Sequence, residues 1–439
     1  MSEVVFRGGT ILTIDADHRV LAGDVATRDG AIAQVGGSYT PQTSDYAILD
    51  CAGCVVMPGL VQAHVHTCQT LARGRADDLE LLDWLRQVIW PYEAALDEEA
   101  MAAAVELACA ELLLGGTTAI LDMGTVHHTG AIFAAAERSG IRATIGKAMM
   151  DADDADAPAG LRETTRASLD ESARLAQRWH GAAGGRLRYA YAPRFVLSCT
   201  DELLREVGVQ ATARGLGIHT HASENAGEVA LVRARFGKDN IVVLDELGLL
   251  GPHTCIAHGV HVSADERALL AARGAHVCTC PSSNLKLASG ICQVPELIAA
   301  GVAMAIGADG APCNNNLDGL HELRLVALLH KPGRGPRTLP APEVVRMATQ
   351  GGAAALGLGD RLGALEVGKR GDVIAVDVEA LHALPPASPW SQIAYAAQSC
   401  DVRHVAVDGQ VVVRDRTLLT LDVANVRRRA RQAAARLFS

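Results

Sequence analysis

No stretch of about eighteen uninterrupted apolar residues occurs in this chain of 439 residues, which excludes a membrane-spanning helix. A basic excess is also missing. Forty Lys and Arg against fifty Asp and Glu give a net charge of −10, which argues against nucleic acid or an anionic membrane as the main partner. The opening Met1-Ser2-Glu3-Val4-Val5-Phe6-Arg7 lacks the basic-then-apolar order of a signal peptide, so a cytoplasmic location is expected. The eleven cysteines are odd in number and scattered, which reads as reduced core residues rather than a disulfide framework. Cys51-x-x-Cys54 has no second pair to complete a metal knuckle, and Cys278-x-Cys280 reads as same-face packing on a strand. No Gly-x-Gly-x-x-Gly follows the first candidate strand of the centre, which weakens an open, doubly wound sheet.

What is present is enough apolar material, 49% of residues with 43 glycines, for a large core and one or two domains. Short alternating runs broken by Gly and Asp fill the first fifty-odd residues: Val4–Phe6, Thr10–Ile14, Asp24–Thr27, Ala31–Val35 and Ala47–Leu49. The same texture returns in Asp372–Asp377, Val402–Val407 and Val411–Val413. Matching ends predict one small β-sandwich domain made from both termini, residues 1–55 and 363–439, with residues 56–362 inserted between them.

The centre alternates strands with Ala/Leu/Glu/Arg-rich helices such as Glu98–Leu114, Leu161–Trp179, Glu202–Arg214 and Ala264–Arg273. The predicted strands are Val55–His64, Thr117–Met123, Ile141–Met149, Leu187–Ala192, Gly217–His221, Cys255–His258, Ala275–Cys280 and Val302–Ala308. Eight strands separated by helices predict a closed (β/α)8 TIM barrel, whose usual size is about 250 residues. Asp151–Gly160 reads as a solvated acidic connection, and Lys331–Pro342, rich in Pro and Gly, as a loop that cannot be helix. Asp422–Phe438 reads as a helix whose arginines form a solvated face.

His64-Val65-His66 ends the first barrel strand, and residues two apart on a strand point the same way. Further strand ends carry His219, His221 and Glu224, then His258, then Ser283 and Asn284, then Asp309. Catalytic groups of a (β/α)8 barrel gather at these C-terminal ends. Each has a plainer reading, a core histidine or a helix-capping Asp. Together, three imidazoles and a carboxylate suit one divalent ion with a position left for water. Zn2+ is the expected ion, and Fe2+ or Mn2+ would accept the same donors.

Pro58-Gly59-Leu60-Val61-x-Ala63-His64-x-His66, His221-x-x-Glu224, Ala257-His258-Gly259, Pro281-x-Ser283-Asn284-Leu285-Lys286-Leu287 and Gly307-x-Asp309-Gly310-Ala311 together resemble the amidohydrolase superfamily. The resemblance is to its deaminases and chlorohydrolases of nitrogen heterocycles, and Gly363-x-Leu365-x-x-Gly368-Lys369-x-Gly371-Asp372 extends it toward the C-terminus. It implies His64, His66, His221 and Asp309 as metal ligands, with His221 selected over His219 because Glu224 follows three residues later. Binuclear members carry a lysine at the end of strand four. Tyr189-Ala190-Tyr191-Ala192-Pro193-Arg194 has none, so one metal is implied. Glu224 would move a water proton to a ring nitrogen, His258 would orient the attacking oxygen, and Asp309 would take the second proton as ammonia leaves.

The segment Trp84 to Glu93 also resembles the branch that deaminates S-adenosylhomocysteine, methylthioadenosine and 5′-deoxyadenosine. There the matching glutamate binds the ribose 2′- and 3′-hydroxyls, which implies Glu93 and Trp84 as substrate contacts, with Asn284 added. Relatives often carry His where Arg194 stands, so Arg194 is a candidate contact to the base, the 5′ group or a neighbouring carboxylate. The resemblance implies a small-molecule substrate and a homo-oligomer. Guanine, 8-oxoguanine, a pterin or a triazine are the alternative substrates.

Overall fold

The apolar run read as one strand, Val55–His64, is two strands in two different sheets. Cys54–Pro58 and Leu60–His66 flank Gly59, where a Cβ would collide with the Thr118 side chain. Both strands are buried on both faces, so no change of hydrophobic period marks the joint. The computed structural model describes residues 3–152 and 157–438.

Cys54–Pro58 lies in a nine-stranded mixed sheet. It runs parallel to Glu3–Leu12 on one side and antiparallel to Val373–Asp377 on the other, so it ties the two chain ends together. Beyond them lie Val20–Arg28, Ala31–Val35 and Tyr46–Asp50 from the N-terminal segment, and Val402–Val407, Gln410–Arg414 and Thr417–Leu418 from the C-terminal one. The two halves fold toward each other: Gly371 and Gly409 hydrogen-bond and pack against Gly30. Phe6, Ile11, Val25, Ile32, Val56, Val373 and Ala375 fill the space between. Cys51 and Cys54 belong to the same core, and all eleven cysteines are free, ten of them buried.

The second sheet is the barrel. Its parallel strands are Leu60–His66, Thr117–Met123, Arg142–Gly146 (continued by Ala148–Met149), Leu187–Pro193, Gly217–Ala222, Thr254–His258, His276–Thr279 and Ala303–Ile306. The chain leaves the eighth strand through Gly307-Ala308, and Asp309–Gly310 then pairs with Val65 and His66, closing the cylinder. The fold is a (β/α)8 barrel carrying a β domain built from both termini. The helix Glu98–Leu114 begins where the Asp97 side chain accepts the Ala100 amide and caps it.

Two expectations need correcting. Lys331–Arg334 is a helical turn and Ala341–Arg346 a helix, each with Pro at its first turn, where a missing N–H costs nothing. The arginines of the helix Val423–Leu437 are not all solvated: Arg429 pairs with Glu106 and Arg436 with Asp97 and Glu99, docking that helix on Glu98–Leu114. Part of the acidic connection, residues 153–156, lies outside the described residues.

Candidate metal centre and catalytic pocket

The eighth-strand pairing sets Asp309 opposite Val65, and the fifth strand runs beside the sixth with Ala222 opposite His258. His258 and Asp309 both hold positive φ, 76° and 63°, a backbone strain that turns the chain inward at the barrel mouth. The result is a tight ring of donors. His66 Nε2 lies 3.2 Å from His221 Nε2, His64 Nε2 lies 3.2 Å from Asp309 Oδ1, and His66 Nε2 lies 3.5 Å from the same oxygen.

Hydrogen bonds on the far side of each ring fix which nitrogen is free. His66 Nδ1 donates to the Met123 carbonyl at 2.8 Å and His221 Nδ1 to the Arg194 carbonyl at 2.7 Å. In neutral imidazoles both Nε2 atoms are then acceptors, so their 3.2 Å approach brings two lone pairs together rather than making a hydrogen bond. His64 Nε2 is buried with no hydrogen-bond partner. Such an arrangement is repulsive by itself and favourable around a cation. Ligand bonds of ~2.0–2.1 Å in a tetrahedron would set donors about 3.4 Å apart, close to the spacings seen. The donor set therefore fits one divalent ion.

Burial keeps His64, His219 and His221 neutral. It pushes His64 down to about 4 even with Asp309 beside it, and it holds His219 and His221 well below the usual histidine range. Burial would raise Asp309, but the rings of His64, His258 and His66 overrule it and hold the carboxyl well below its ordinary value. Ser283 Oγ donates to Asp309 Oδ2 at 2.6 Å and steadies it. His219 lies one residue pair deeper, its Nε2 2.8 Å from His64 Nδ1, so it supports a candidate ligand rather than competing with His221.

Beside the donor ring opens a pocket. Its polar wall carries His66, His221, Glu224, His258 and Asp309, and its apolar wall Leu81, Trp84, Leu85 and Phe195. His258 Nε2 lies 3.4 Å from Glu224 Oε2 and 3.9 Å from Asp309 Oδ2. Burial, then the neighbouring Asp309 and Glu228 carboxylates, raise Glu224 well above the ordinary range, which suits a group that must hold and release a proton. Its Oε1 is buried and unpartnered. Glu228 fixes the backbone there, accepting the Glu224 amide at 2.8 Å.

Residues 55–412 match the amidohydrolase family. The chain belongs to that family. It is 40% identical over 437 residues to the 5-methylthioadenosine/S-adenosylhomocysteine deaminase of Syntrophobacter fumaroxidans, covering 99% of this chain and 98% of the relative. It is 38% identical over 441 residues to the 5′-deoxyadenosine deaminase of Methanosarcina acetivorans, covering 100% and 99%. Among solved structures, an adenosine deaminase from Xanthomonas campestris with bound zinc superposes with a TM-score of 0.90 at 34% identity, covering 99% of this chain and 98% of that one.

Set against this amidohydrolase frame, the expected substrate contacts divide. Trp84 and Arg194 line the cavity. Asn284 stands behind His258, its Oδ1 accepting from His258 Nδ1 at 2.9 Å, and is absent from that wall. Glu93 is absent from it too. Its carboxylate is buried and held by Arg194 and Gln69. Sequence reading placed Ser283 at a strand end without giving it a role, and passed over Gln69 and Glu228. Glu228 was findable as the third residue of a helix capping box, Asn225-x-x-Glu228, while Gln69 carried no local signal.

Proposed function

We propose that this protein is a mononuclear metal-dependent aminohydrolase that deaminates a 5′-modified adenosine to the inosine analogue with release of ammonia. The observation that carries the reading is the meeting of three groups on one side of the donor ring, with Glu224 3.4 Å and Asp309 3.9 Å from His258, all three lining one pocket. The relatives named for methylthioadenosine, S-adenosylhomocysteine and 5′-deoxyadenosine support the substrate class.

His64, His66, His221 and Asp309 would hold the ion, with zinc proposed from the zinc-bound structural relative and Fe2+ or Mn2+ as the other candidates. When bound, the ion supplies the acidity that makes water a nucleophile at neutral pH. Glu224 accepts a proton from that water and passes it to the ring nitrogen next to the amino-bearing carbon. His258 orients the attacking oxygen or stabilises charge on it. Asp309 takes the second proton and delivers it to the departing nitrogen, so the C–N bond breaks as the C–O bond becomes a carbonyl. The chain would act as a cytoplasmic homo-oligomer, a reading that comes with the family resemblance. None of its described helices is long and apolar enough to cross a membrane.

A second reading is deamination or dechlorination of another nitrogen heterocycle, such as guanine, 8-oxoguanine, a pterin or a triazine. The pairing of Glu93 with Arg194 favours it, because a ribose would find that carboxylate already engaged. Ammonia release by zinc-loaded protein from 5′-deoxyadenosine, methylthioadenosine, S-adenosylhomocysteine, adenosine and guanine separates the two. Turnover of the adenosines is expected, and turnover of guanine alone would overturn the first reading.

A further inference from the structure

Glu93 sits in the helix Trp90–Ala95 with its side chain fully buried. Arg194 Nη1 donates to Glu93 Oε2 at 2.5 Å, Arg194 Nη2 to Oε1 at 3.1 Å, and Gln69 Nε2 to Oε1 at 2.9 Å. A carboxylate offers about four acceptor positions, and three of these are filled from within the protein. A cis-diol brings two O–H donors and needs two acceptors. One remains.

Geometry blocks the exchange as well. Arg194 is in the cavity wall beside Phe195 and Trp84, and Glu93 lies behind it. The Arg194 main chain cannot swing aside, because its carbonyl accepts both the backbone amide and Nδ1 of His221. Opening the pair would leave two buried charges unpaired, which costs more than hydrogen bonds to two neutral hydroxyls return.

We propose that Arg194 is a specificity-determining residue: by engaging both oxygens of Glu93 it withdraws that carboxylate from the substrate, so the cavity selects the heterocycle without reading the ribose 2′- and 3′-hydroxyls. The proposal rests on the aminohydrolase reading for its assay, but it concerns recognition and has a binding readout of its own.

The test compares adenosine with 2′,3′-dideoxyadenosine on zinc-loaded protein, by ammonia release and by calorimetric binding. The two nucleosides are expected to agree within about tenfold in kcat/KM and in Kd, since a site that makes no hydrogen bond to a hydroxyl discriminates weakly. A preference for adenosine on the order of 10⁴-fold, as expected of a site built to bond hydroxyls, overturns the proposal. Binding of neither nucleoside also overturns it. Absence of ammonia from every heterocycle, with the two nucleosides still bound equally, removes the aminohydrolase reading and leaves this one standing.

Variants sharpen the result. Arg194→Met releases Glu93 and is expected to raise the preference for adenosine over the dideoxy form by about tenfold or more. Where that variant does not fold, Glu93→Gln decides. The ratio is expected to stay as in the parent protein, and a fall in activity on adenosine alone overturns the proposal.

Discussion

Two polar corners, one in the cavity wall and one behind it, treat their buried carboxylate and imidazole atoms in opposite ways. At the metal corner, His64 Nε2 and Glu224 Oε1 are buried without partners, and two imidazole lone pairs face each other across 3.2 Å. At the Glu93 corner, both carboxylate oxygens are taken up by Arg194 and Gln69. Unpaired buried polar atoms are costly, so a fold keeps them where something else completes them. A carboxylate with both oxygens engaged by Arg194 and Gln69 is instead held by the protein itself. The contrast separates residues held ready for chemistry from residues that shape the wall around it.

The largest effect is expected at the unpaired corner. Glu224→Gln should lower kcat by about 10²–10⁴-fold. Metal content should hold, because Glu224 lies outside the donor ring, and thermal stability should not fall, because a buried, unpartnered acid is removed. A fall in both metal content and melting temperature would break the distinction between the corners. The paired corner should respond in the other currency. Arg194→Met leaves Glu93 buried and unpaired, which should cost about 3–5 kcal/mol in denaturant unfolding. The double variant Arg194→Met with Glu93→Gln should recover most of that loss.

Glu322 tests an intermediate case. It is fully buried and accepts from Ser282 N, Ser282 Oγ and Asn314 Nδ2, yet burial still raises it from its ordinary 4.5 to about 7. Its neutral form is the one the fold prefers. Its contribution to stability is therefore complete below pH 4.5 and is lost as pH rises through about 7, a loss on the order of 3 kcal/mol. The buried histidines act with the opposite sign, since their lowered pKa values favour the fold as pH rises. Comparing Glu322→Gln with the parent at pH 5, 6.5 and 8 isolates the carboxyl, and the parent should lose more stability on going to pH 8. The smallest expected effect is at His219. His219→Ala removes the partner of His64 Nδ1 and should weaken zinc retention by about 10–100-fold in competition with a chelator.

The metal corner was legible in the chain because strand geometry makes it local. His64 and His66 share a face by the two-residue period, and each remaining donor follows a strand of recognisable apolar character. The Glu93 corner was not. Arg194 and Glu93 lie 101 residues apart, and whether they meet depends on two side-chain rotamers that no periodicity encodes. The resemblance sets Glu93 against a ribose, while in this structure its carboxylate pairs with Arg194. The Gly59 joint was hidden for a different reason. Two strands buried on both faces run end to end, and an apolar run shows no seam where the chain passes from one sheet into another.

That joint also bears on how the chain is made. Cys54–Pro58 is laid down early, yet one of its two neighbours in the sheet, Val373–Asp377, follows about 315 residues later. At ~5–20 residues per second of synthesis, one edge of the strand stays bare for roughly 15–60 s while the whole barrel emerges. Through that interval a fully apolar strand, Cys-Val-Val-Met-Pro, hangs beside the ribosome with half its hydrogen bonds unmade. The proline at its end and the shortness of the strand are what limit its chance of pairing with a neighbouring nascent chain.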